Sequence, residues 1–329
     1  MEHWQGEFLS RSLVGQNSAF LDEINKIPRI AKCAACVLIS GETGTGKGIC
    51  ARLIHRLGDR AERPLVAVNC GAIPSELAEN ELFGHKNGAF TGARAVKKGL
   101  IAAAEGGSLF LDEIDSLAYS AQVKLLRFLQ EKTYRPLGST KECRADVRII
   151  ATSSGAPEEV LASGKIRRDL YYRINVLQLR LPPLRKRRED IPLLAAHFLK
   201  EHHHESEKRI KGFSLPAVQK LLFYDWPGNV RELRHVIERT VAHLQGETID
   251  AGDIGLPEVV PFEPLKDAKE RFVVDFERRY IRNMLLLAQG NISEAARASN
   301  KHRRAFWQLI RKHSIETDQY RDVQVAVQK

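Results

Sequence analysis

The chain has 329 residues, of which 43% are hydrophobic and 28% charged, a composition typical of folded globular proteins rather than disordered ones. This length exceeds what one compact domain usually needs, so two or three domains are expected. Lys and Arg outnumber Asp and Glu by 51 to 41, and the resulting formal net charge of +10 favours a polyanionic partner.

Targeting signals and cysteines restrict the compartment. No apolar run approaches the roughly 20 residues of a membrane span, and the first residues lack the layout of an export signal. Five cysteines, an odd number, fit a reducing compartment better than a disulfide framework. We therefore predict a cytoplasmic protein.

The pair Cys33 and Cys36 offers only half of the ligands of a structural zinc site, and ordinary packing is favoured over a metal or redox role.

The chain divides into segments of different pattern. Residues 1–12 are too few for a sensor or receiver domain, and we expect none before residue 13. Short β-rich runs alternate with helical stretches over residues 13–183, which predicts an α/β domain with a mostly parallel sheet flanked by helices. Residues 184–256 predict a small helical domain with almost no strand signal, residues 257–265 a stiff Pro-rich linker, and residues 266–329 a third, helical module.

A glycine-rich segment follows the first strand-like run of the α/β domain. It reads Gly41-Glu42-Thr43-Gly44-Thr45-Gly46-Lys47 and leads directly into a helix-like run. Its glycines let backbone N–H groups converge, the helix adds its positive end, and the lysine reaches the terminal phosphates of a nucleotide. Position 48 is Gly, where such loops usually carry a Ser or Thr that ligates magnesium, so the metal must depend on another residue.

A second motif ends a buried apolar strand with two carboxylates, in Gly106-Gly107-Ser108-Leu109-Phe110-Leu111-Asp112-Glu113. Asp112 can hold Mg²⁺, while Glu113 can orient and deprotonate the water that attacks a γ-phosphate. Acidic pairs also cap helices, but behind a phosphate loop they indicate hydrolysis.

Four of these stretches together carry a family resemblance: the phosphate loop, residues 81–85 (ELFGH), the hexapeptide at 88–93 (GAFTGA) and the acidic strand. They resemble the AAA+ core of bacterial sigma-54-dependent transcription activators, also called enhancer-binding proteins, and the likeness covers nearly the whole chain. The resemblance implies that the hexapeptide contacts sigma-54. The residues concerned are Gly88, Ala89, Phe90, Thr91, Gly92 and Ala93.

The resemblance also implies roles for single residues. Asn69 is similar to a switch residue that bonds the catalytic Glu113 in one nucleotide state, with a buried capping Asn as the alternative. Arg167 and Arg173 are similar to arginine fingers that act on a neighbouring subunit, although a local salt bridge to Asp169 is the rival interpretation for Arg167.

Other positions are implied to contact ATP. Arg231 is similar to the family's second sensor, and Ser153-Ser154 stand where the family usually has a Thr-Asn sensor of the γ-phosphate. The stretch at residues 131–139 resembles a second loop that moves with the hexapeptide. Beyond Ser153, Ser154 and Arg231, the expected nucleotide-binding residues are Gly15, Gly41, Glu42, Thr43, Gly44, Thr45, Gly46, Lys47, Gly48, Ala104, Glu105, Gly106, Gly107, Ser108, Leu109, Phe110, Leu111, Asp112 and Glu113.

The last module resembles the Fis-type helix-turn-helix DNA-binding domain of the same family. Six Lys or Arg and no acid lie between Ala295 and Ile315, as a phosphate-tracking surface requires, whereas a basic coiled-coil-like tail is the alternative. The second helix of the motif should enter the major groove. The candidate DNA contacts are Lys301, His302, Arg303, Arg304, Gln308, Arg311 and Lys312.

The resemblance implies an enhancer-bound activator that dimerises, assembles into a hexameric ring, and uses ATP hydrolysis to remodel the closed complex of sigma-54 RNA polymerase. A regulatory partner protein acting in trans is the form of control we expect. Two alternatives stay open: a DNA-binding repressor with impaired ATPase, and an AAA+ remodeller of another protein.

The basic run at residues 185–188, followed at once by two acids, is interpreted as a solvated linker rather than a nucleic-acid patch.

Overall fold

The structure is a computed structural model that describes residues 13–89, 95–155, 157–203, 210–256, 265–313, 315 and 317. It divides into two compact units, Met1–Pro257 and Glu258–Lys329. Within the described ranges, every helix is too short or too polar to span a bilayer.

The first unit begins with an α/β part. Its elements in chain order are α1 (Ser18–Ile24), α2 (Ile27–Ala31), β1 (Val37–Ser40), α3 (Lys47–Arg56), β2 (Leu65–Asn69), α4 (Ala78–Phe83), β3 (Gly84–His85), β4 (Lys97–Lys98), α5 (Leu100–Ala103), β5 (Ser108–Asp112), α6 (Tyr119–Glu131), β6 (Thr133–Tyr134), β7 (Cys143–Arg144), β8 (Arg148–Ser153), α7 (Pro157–Ala162), α8 (Arg168–Ile174) and β9 (Leu177–Arg180).

Five strands of this part form a parallel sheet in the order β2-β5-β8-β1-β9. The three central strands carry apolar residues at their centres because helices cover both faces of the sheet, and all their residues are buried except the half-buried Asp112. The predicted parallel sheet flanked by helices is confirmed. Since all strands run the same way, the carboxyl ends of β1, β5 and β8 meet at one edge, where ligands bind in open α/β sheets.

The helical part of the first unit contains α9 (Ile191–His203), β10 (Gly212–Phe213), α10 (Leu215–Phe223), α11 (Asn229–His243) and β11 (Thr248–Ile249). Trp226 is completely buried in its core and donates its indole N–H to the carbonyl of Leu221 at 2.8 Å. The helical part also contains a parallel strand pair, β10-β11, with two residues in each strand. Strands of two residues are too short to produce a detectable alternation of apolar and polar residues.

The interpretation of residues 185–188 as a solvated linker is wrong at Arg187, although Arg185 and Lys186 are exposed. The Arg187 side chain is only 2% exposed, and its guanidinium lies 4.3 Å from the ring centroid of Phe20 on α1 and 3.8 Å from the carboxylate of Asp190. Asp190 also accepts the backbone N–H of Gln16 at 2.7 Å and of Asn17 at 3.0 Å. The run therefore ties the start of the helical part to the beginning of the α/β part.

The second unit contains α12 (Leu265–Leu287), α13 (Ile292–Ala298) and α14 (Arg303–Lys312). Ile281, Leu285, Ala295 and Phe306 form its buried core. Asn291 caps α13 by accepting the N–H groups of Ser293 and Glu294, and Asn300 adopts a left-handed conformation with φ of 50° in the turn before α14. Two short helices after a long one are consistent with a helix-turn-helix.

Candidate nucleotide site

The glycine-rich segment forms a tight loop between β1 and α3. Gly44 and Gly46 adopt positive φ values of 82° and 105°, which only glycine tolerates at low cost. The Lys47 ammonium is buried and donates to the backbone carbonyls of Gly41 at 2.6 Å and Glu42 at 3.0 Å. Its side chain thus folds back over the loop and lines the cavity beside it.

Electrostatics at the loop fit a charged ligand. Burial lowers the pKa of Lys47, and the carboxylates of Asp112, Glu113 and Asp115 oppose that shift. Arg231 adds a positive charge that also lowers this pKa. The site therefore combines cations, which can bind phosphate oxygens, with the oxygen donors that Mg²⁺ prefers.

A cavity of about 400 Å³ joins the loop to the acidic strand and to the helical part. It brings together Lys47, Asp112, Glu113 and Arg231, which are far apart in sequence. Within the described part of the chain, its lining residues are Thr43, Gly44, Gly46, Lys47, Gly48, Ile49, Arg52, Phe110, Asp112, Glu113, Phe198, Val230, Arg231, Arg234 and His235.

Sequence reasoning missed Arg52, Arg234 and His235 in this lining. Arg234 and His235 follow Arg231 by three and four positions on α11, and this spacing places them on the same helix face. Arg234 also lies 6.0 Å from the ring centroid of Phe198. Helical spacing from the expected second sensor was thus a usable signal.

Residues 104–111 lie mostly behind the cavity rather than in its wall. Leu109 and Leu111 are buried in the hydrophobic core, and Gly107 packs so closely on the backbone of Pro64 that a Cβ would lie 2.1 Å from its carbonyl oxygen. The Ser108 hydroxyl lies 3.0 Å from the Nδ1 atom of His55. From this strand, Phe110 and Asp112 line the cavity, together with Glu113 just beyond it.

The carboxyl end of β5 is fixed by a residue that sequence reasoning missed. Thr152, fully buried on β8, donates its hydroxyl to Asp112 Oδ1 at 2.5 Å and accepts the backbone N–H of Glu113 at 2.9 Å. Glu113 itself has φ of 56° and ψ of 55°, a left-handed conformation that is uncommon for a residue with a side chain. The only sequence signal for this role is that Thr152 is a hydroxyl residue near the end of β8, a strand that pairs with the acidic strand β5.

The expected sensor and switch residues lie at the same sheet edge. Ser154 donates its hydroxyl to Asp115 at 2.6 Å, while the Ser153 hydroxyl is buried without a hydrogen-bond partner among the described residues. Asn69 accepts the N–H groups of Gly71 and Ala72 at 2.8 and 3.2 Å. This is the capping role that was the alternative for Asn69, although the residue is exposed.

The helical part contacts the phosphate loop through Asn229. This buried residue, with φ of 54°, donates to the Thr43 carbonyl at 3.0 Å and to Glu42 Oε2 at 3.2 Å, and accepts the Leu184 N–H at 2.8 Å. Arg185 forms a bidentate ion pair with Glu42 at 2.5 and 2.7 Å, which lowers the pKa of Glu42. The start of α11, and with it Arg231, is therefore held against the loop.

Three further expected residues, Gly15, Arg167 and Arg173, lie elsewhere in the first unit. Gly15 packs against Phe20 and Asp190, where a Cβ would approach both within 2.8 Å. Arg167 forms a bidentate pair with Asp169 and donates to the Tyr119 hydroxyl at 2.9 Å, as in the rival interpretation. Arg173 is exposed and donates to the Leu129 carbonyl at 3.2 Å.

The hexapeptide lies partly outside the described residues, which include Gly88 and Ala89 but not Phe90, Thr91, Gly92 and Ala93. Its stem contacts the second loop, because the Lys86 N–H donates to the Leu137 carbonyl at 3.0 Å and a Cβ on Gly138 would lie 2.8 Å from that of Ala89. The two loops are therefore packed together at their bases.

The expected DNA contacts are exposed on the second unit. The list is Lys301, His302, Arg303, Arg304, Gln308, Arg311 and Lys312. Two of them are engaged within the unit: the Arg311 guanidinium lies 4.6 Å from the Trp307 ring centroid, and Lys312 pairs with Glu277 at 2.9 Å. Phe306 and Ile310 face the core, so α14 presents its basic face to solvent.

The residues present fit a bound Mg²⁺ ion. Asp112 and Glu113 line the cavity opposite Lys47, and carboxylate oxygens are the ligands this hard cation prefers. Gly48 supplies no hydroxyl, and a Cβ built on it meets nothing within 4 Å. Asp112 would therefore hold the metal together with phosphate oxygens and water.

Comparisons with known proteins give a consistent result. The family model described as "Sigma-54 interaction domain" matches residues 13–180, and the model "AAA+ ATPase lid domain" matches residues 185–260. The chain is 39% identical over 330 residues to the transcriptional regulatory protein GlrR of Escherichia coli K12, covering 98% of this chain and 71% of that protein. It is 43% identical over 288 residues to the transcriptional regulatory protein ZraR of Salmonella typhimurium, covering 87% of this chain and 65% of that protein.

A solved structure agrees in fold. NtrX from Brucella abortus in complex with ADP superposes with a TM-score of 0.68 at 32% identity, covering 92% of this chain and 70% of NtrX. The chain thus spans from about two thirds to seven tenths of the length of these relatives.

Proposed function

The chain belongs to the sigma-54 interaction family of AAA+ transcription activators, and from this premise we propose that it hydrolyses ATP to activate transcription by sigma-54 RNA polymerase. The observation that carries the proposal is the single cavity shared by Lys47, Asp112, Glu113 and Arg231. A phosphate loop, two acids and a lid arginine are the parts that a nucleoside triphosphatase needs.

In this proposal the loop N–H groups and Lys47 bind the β- and γ-phosphates of ATP. Lys47 must then exchange its bonds to the carbonyls of Gly41 and Glu42 for phosphate oxygens. Glu113 accepts the proton of the attacking water, and Arg231 binds the phosphates from the helical part. A bound Mg²⁺ supplies charge neutralisation of the phosphates. A relative that has been solved in complex with ATP, NtrX from Brucella abortus, supports this ligand.

Hydrolysis between subunits is the next part of the proposal. Arg167 and Arg173 act as arginine fingers on a neighbouring subunit, in a ring that we propose to be a hexamer. Arg167 first has to leave Asp169 and Tyr119, which bind its guanidinium within the chain. Surface ion pairs contribute at most about 1 kcal/mol, so this exchange is feasible on assembly. A finger raises phosphoryl-transfer rates by about 10³- to 10⁵-fold.

The hexapeptide is proposed to transmit the reaction to sigma-54. The packing of Ala89 against Gly138 supports a joint movement of its stem with the second loop. Phe90 and Thr91 are the residues expected to contact the polymerase. ATP hydrolysis at the carboxyl edge of the sheet would thus move the hexapeptide, and this movement would act on the closed promoter complex.

Enhancer binding is proposed for the second unit, and DNA is the polyanionic partner. The exposed, basic face of α14 supports an approach to the phosphates of the major groove. Exposed Phe272, Phe276 and Tyr280 recur along α12 at helical spacing, and this apolar stripe supports dimerisation of the unit. A protein that acts on bacterial DNA works in the cytoplasm, and we place the chain there. Its control is proposed to come from a regulatory partner protein that acts in trans.

ATPase turnover of the purified chain, compared with Glu113→Ala, tests the enzymatic part. Turnover in the wild type that is lost in the variant supports the proposal, whereas absent turnover with intact DNA binding favours a repressor. Thr91→Ala tests the target, because retained hydrolysis with lost sigma-54 binding supports an activator. Unchanged binding to sigma-54 in that variant would count against a contact through Thr91, and a wild-type chain that hydrolyses ATP without binding sigma-54 would point to a remodeller of another protein.

A further inference from the structure

Thr152 holds both acidic residues of the proposed site at once. Its hydroxyl donates to Asp112 Oδ1 at 2.5 Å, and the same oxygen accepts the Glu113 N–H at 2.9 Å. The side chain is completely buried in the sheet. One hydroxyl group therefore links Asp112, the proposed metal ligand, directly to Glu113, the proposed base.

The first of these bonds orients the carboxylate of Asp112. A carboxylate is an acceptor with two oxygens, and the bond to Thr152 occupies Oδ1. The bond therefore restricts rotation of the carboxylate of Asp112, a residue that lines the cavity. Partners of this kind, which orient a metal ligand without touching the metal, change metal affinity or activity by about 10- to 100-fold when removed.

The second bond secures a strained backbone. A left-handed conformation such as that of Glu113, with φ of 56°, costs about 1 to 2 kcal/mol for a residue with a Cβ atom. Such strain persists only where surrounding contacts hold it, and it is concentrated at functional sites. The bond from the Glu113 N–H to Thr152 holds this residue directly, so losing the hydroxyl would allow the Glu113 carboxylate to move.

The neighbouring hydroxyls at the end of β8 do not make these contacts. Ser154 is bonded to Asp115 at 2.6 Å, and Ser153 has no hydrogen-bond partner among the described residues. We propose that Thr152 is a positioning residue of the ATPase site, which sets the metal-binding orientation of Asp112 and the strained backbone of Glu113. The inference rests on the proposed function, because it assigns Thr152 a role in that site.

Thr152→Val tests the proposal, because valine keeps the shape and removes the hydroxyl. We expect kcat to fall by about 10- to 100-fold with KM for ATP changed less than about threefold. We also expect the Mg²⁺ concentration that gives half-maximal binding of a fluorescent ATP analogue to rise about tenfold. Binding of the same analogue in EDTA should be unchanged, and Thr152→Ser should restore both quantities.

The matched control is Thr240→Val, which removes another buried threonine hydroxyl, bonded to the Val236 carbonyl at 2.8 Å. It should lower the melting temperature without shifting the Mg²⁺ dependence. The proposal is overturned if Thr152→Val keeps the wild-type Mg²⁺ dependence, if Thr152→Ser is equally impaired, or if Thr240→Val gives the same shift. Should the valine variant not fold, Thr152→Ala is held to the same criteria.

Binding and turnover separate the two proposals. A wild-type chain that binds ATP with Mg²⁺ but never hydrolyses it would refute the proposed function, while the Thr152 variants would still test positioning by binding. A wild-type chain that hydrolyses ATP, with unchanged Mg²⁺ dependence in Thr152→Val, would refute the role of Thr152 alone.

Discussion

Replacing Asn229 with Ala should both destabilise the first unit and weaken ATP binding. The Leu184 N–H would lose its acceptor at 2.8 Å, and an unsatisfied buried N–H costs about 1–3 kcal/mol. The lost bond to the Thr43 carbonyl, at 3.0 Å, contributes about 1 kcal/mol. Alanine tolerates the positive φ of 54° less well than asparagine, at a cost of about 1 kcal/mol more. The expected loss in free energy of unfolding is therefore about 3 to 5 kcal/mol.

Urea denaturation followed by circular dichroism measures this loss, and Asn229→Gly is the matched comparison. Glycine removes the same hydrogen bonds but accepts the left-handed backbone, so it should be about 1 kcal/mol more stable than Asn229→Ala. Both variants should weaken binding of a fluorescent ATP analogue, because Arg231 follows two positions later on α11. A free energy of unfolding within about 1 kcal/mol of wild type for Asn229→Ala would refute the role given to this contact.

Four further predictions follow from other contacts. Gly48→Ala should raise the free energy of unfolding by about 0.5–1 kcal/mol, because a Cβ there meets nothing within 4 Å, and a lower melting temperature would contradict this. Gly44→Ala should weaken ATP binding about tenfold or more, since its Cβ would lie 2.2 Å from the Gly228 carbonyl oxygen, and an unchanged Kd in a fluorescence titration would count against the contact. Hydrogen bonds from Lys312 and His313 lower the pKa of Glu277 in the folded state. These bonds therefore stabilise the fold fully at a pH above the pKa of Glu277 in the unfolded chain, and the stabilisation is lost as the pH falls through the lower pKa of the folded state. Glu277→Gln should therefore lower the melting temperature of the second unit at neutral pH, and the difference should shrink below about pH 4, whereas a pH-independent difference would refute the assignment. Arg304→Ala should reduce the slope of log K against log salt for DNA binding by about 0.9, while Arg278→Ala on α12 should leave the slope unchanged. A slope unchanged by Arg304→Ala would contradict a phosphate contact from α14.

The sequence predicted the sheet and the phosphate loop because both depend on local patterns. Apolar runs ending in Ser40 and Asp112 define buried parallel strands, and glycines before Lys47 define the loop that follows one of them. These signals span a few consecutive residues, so they can be recognised without knowing which distant segments are in contact.

The contacts between distant segments could not be predicted in the same way. Thr152 and Asp112 are 40 positions apart, and their bond depends on β5 and β8 being adjacent in the sheet. Arg187 appeared solvated because its neighbours in sequence are charged, whereas Phe20 covers it from another element. Charge patterns describe a segment's neighbours along the chain, and burial is decided by neighbours in space.

The most direct test of the account is promoter opening in vitro by the purified chain, with sigma-54 RNA polymerase bound at a promoter that carries an upstream site for the chain. Permanganate reactivity of unpaired thymines should appear with the wild type and ATP. It should be absent with Glu113→Ala or without ATP, although Glu113→Ala should still bind the nucleotide. Turnover of ATP by the wild type without any unpaired thymines, or equal opening by Glu113→Ala, would contradict the central claim that hydrolysis at this site activates the polymerase.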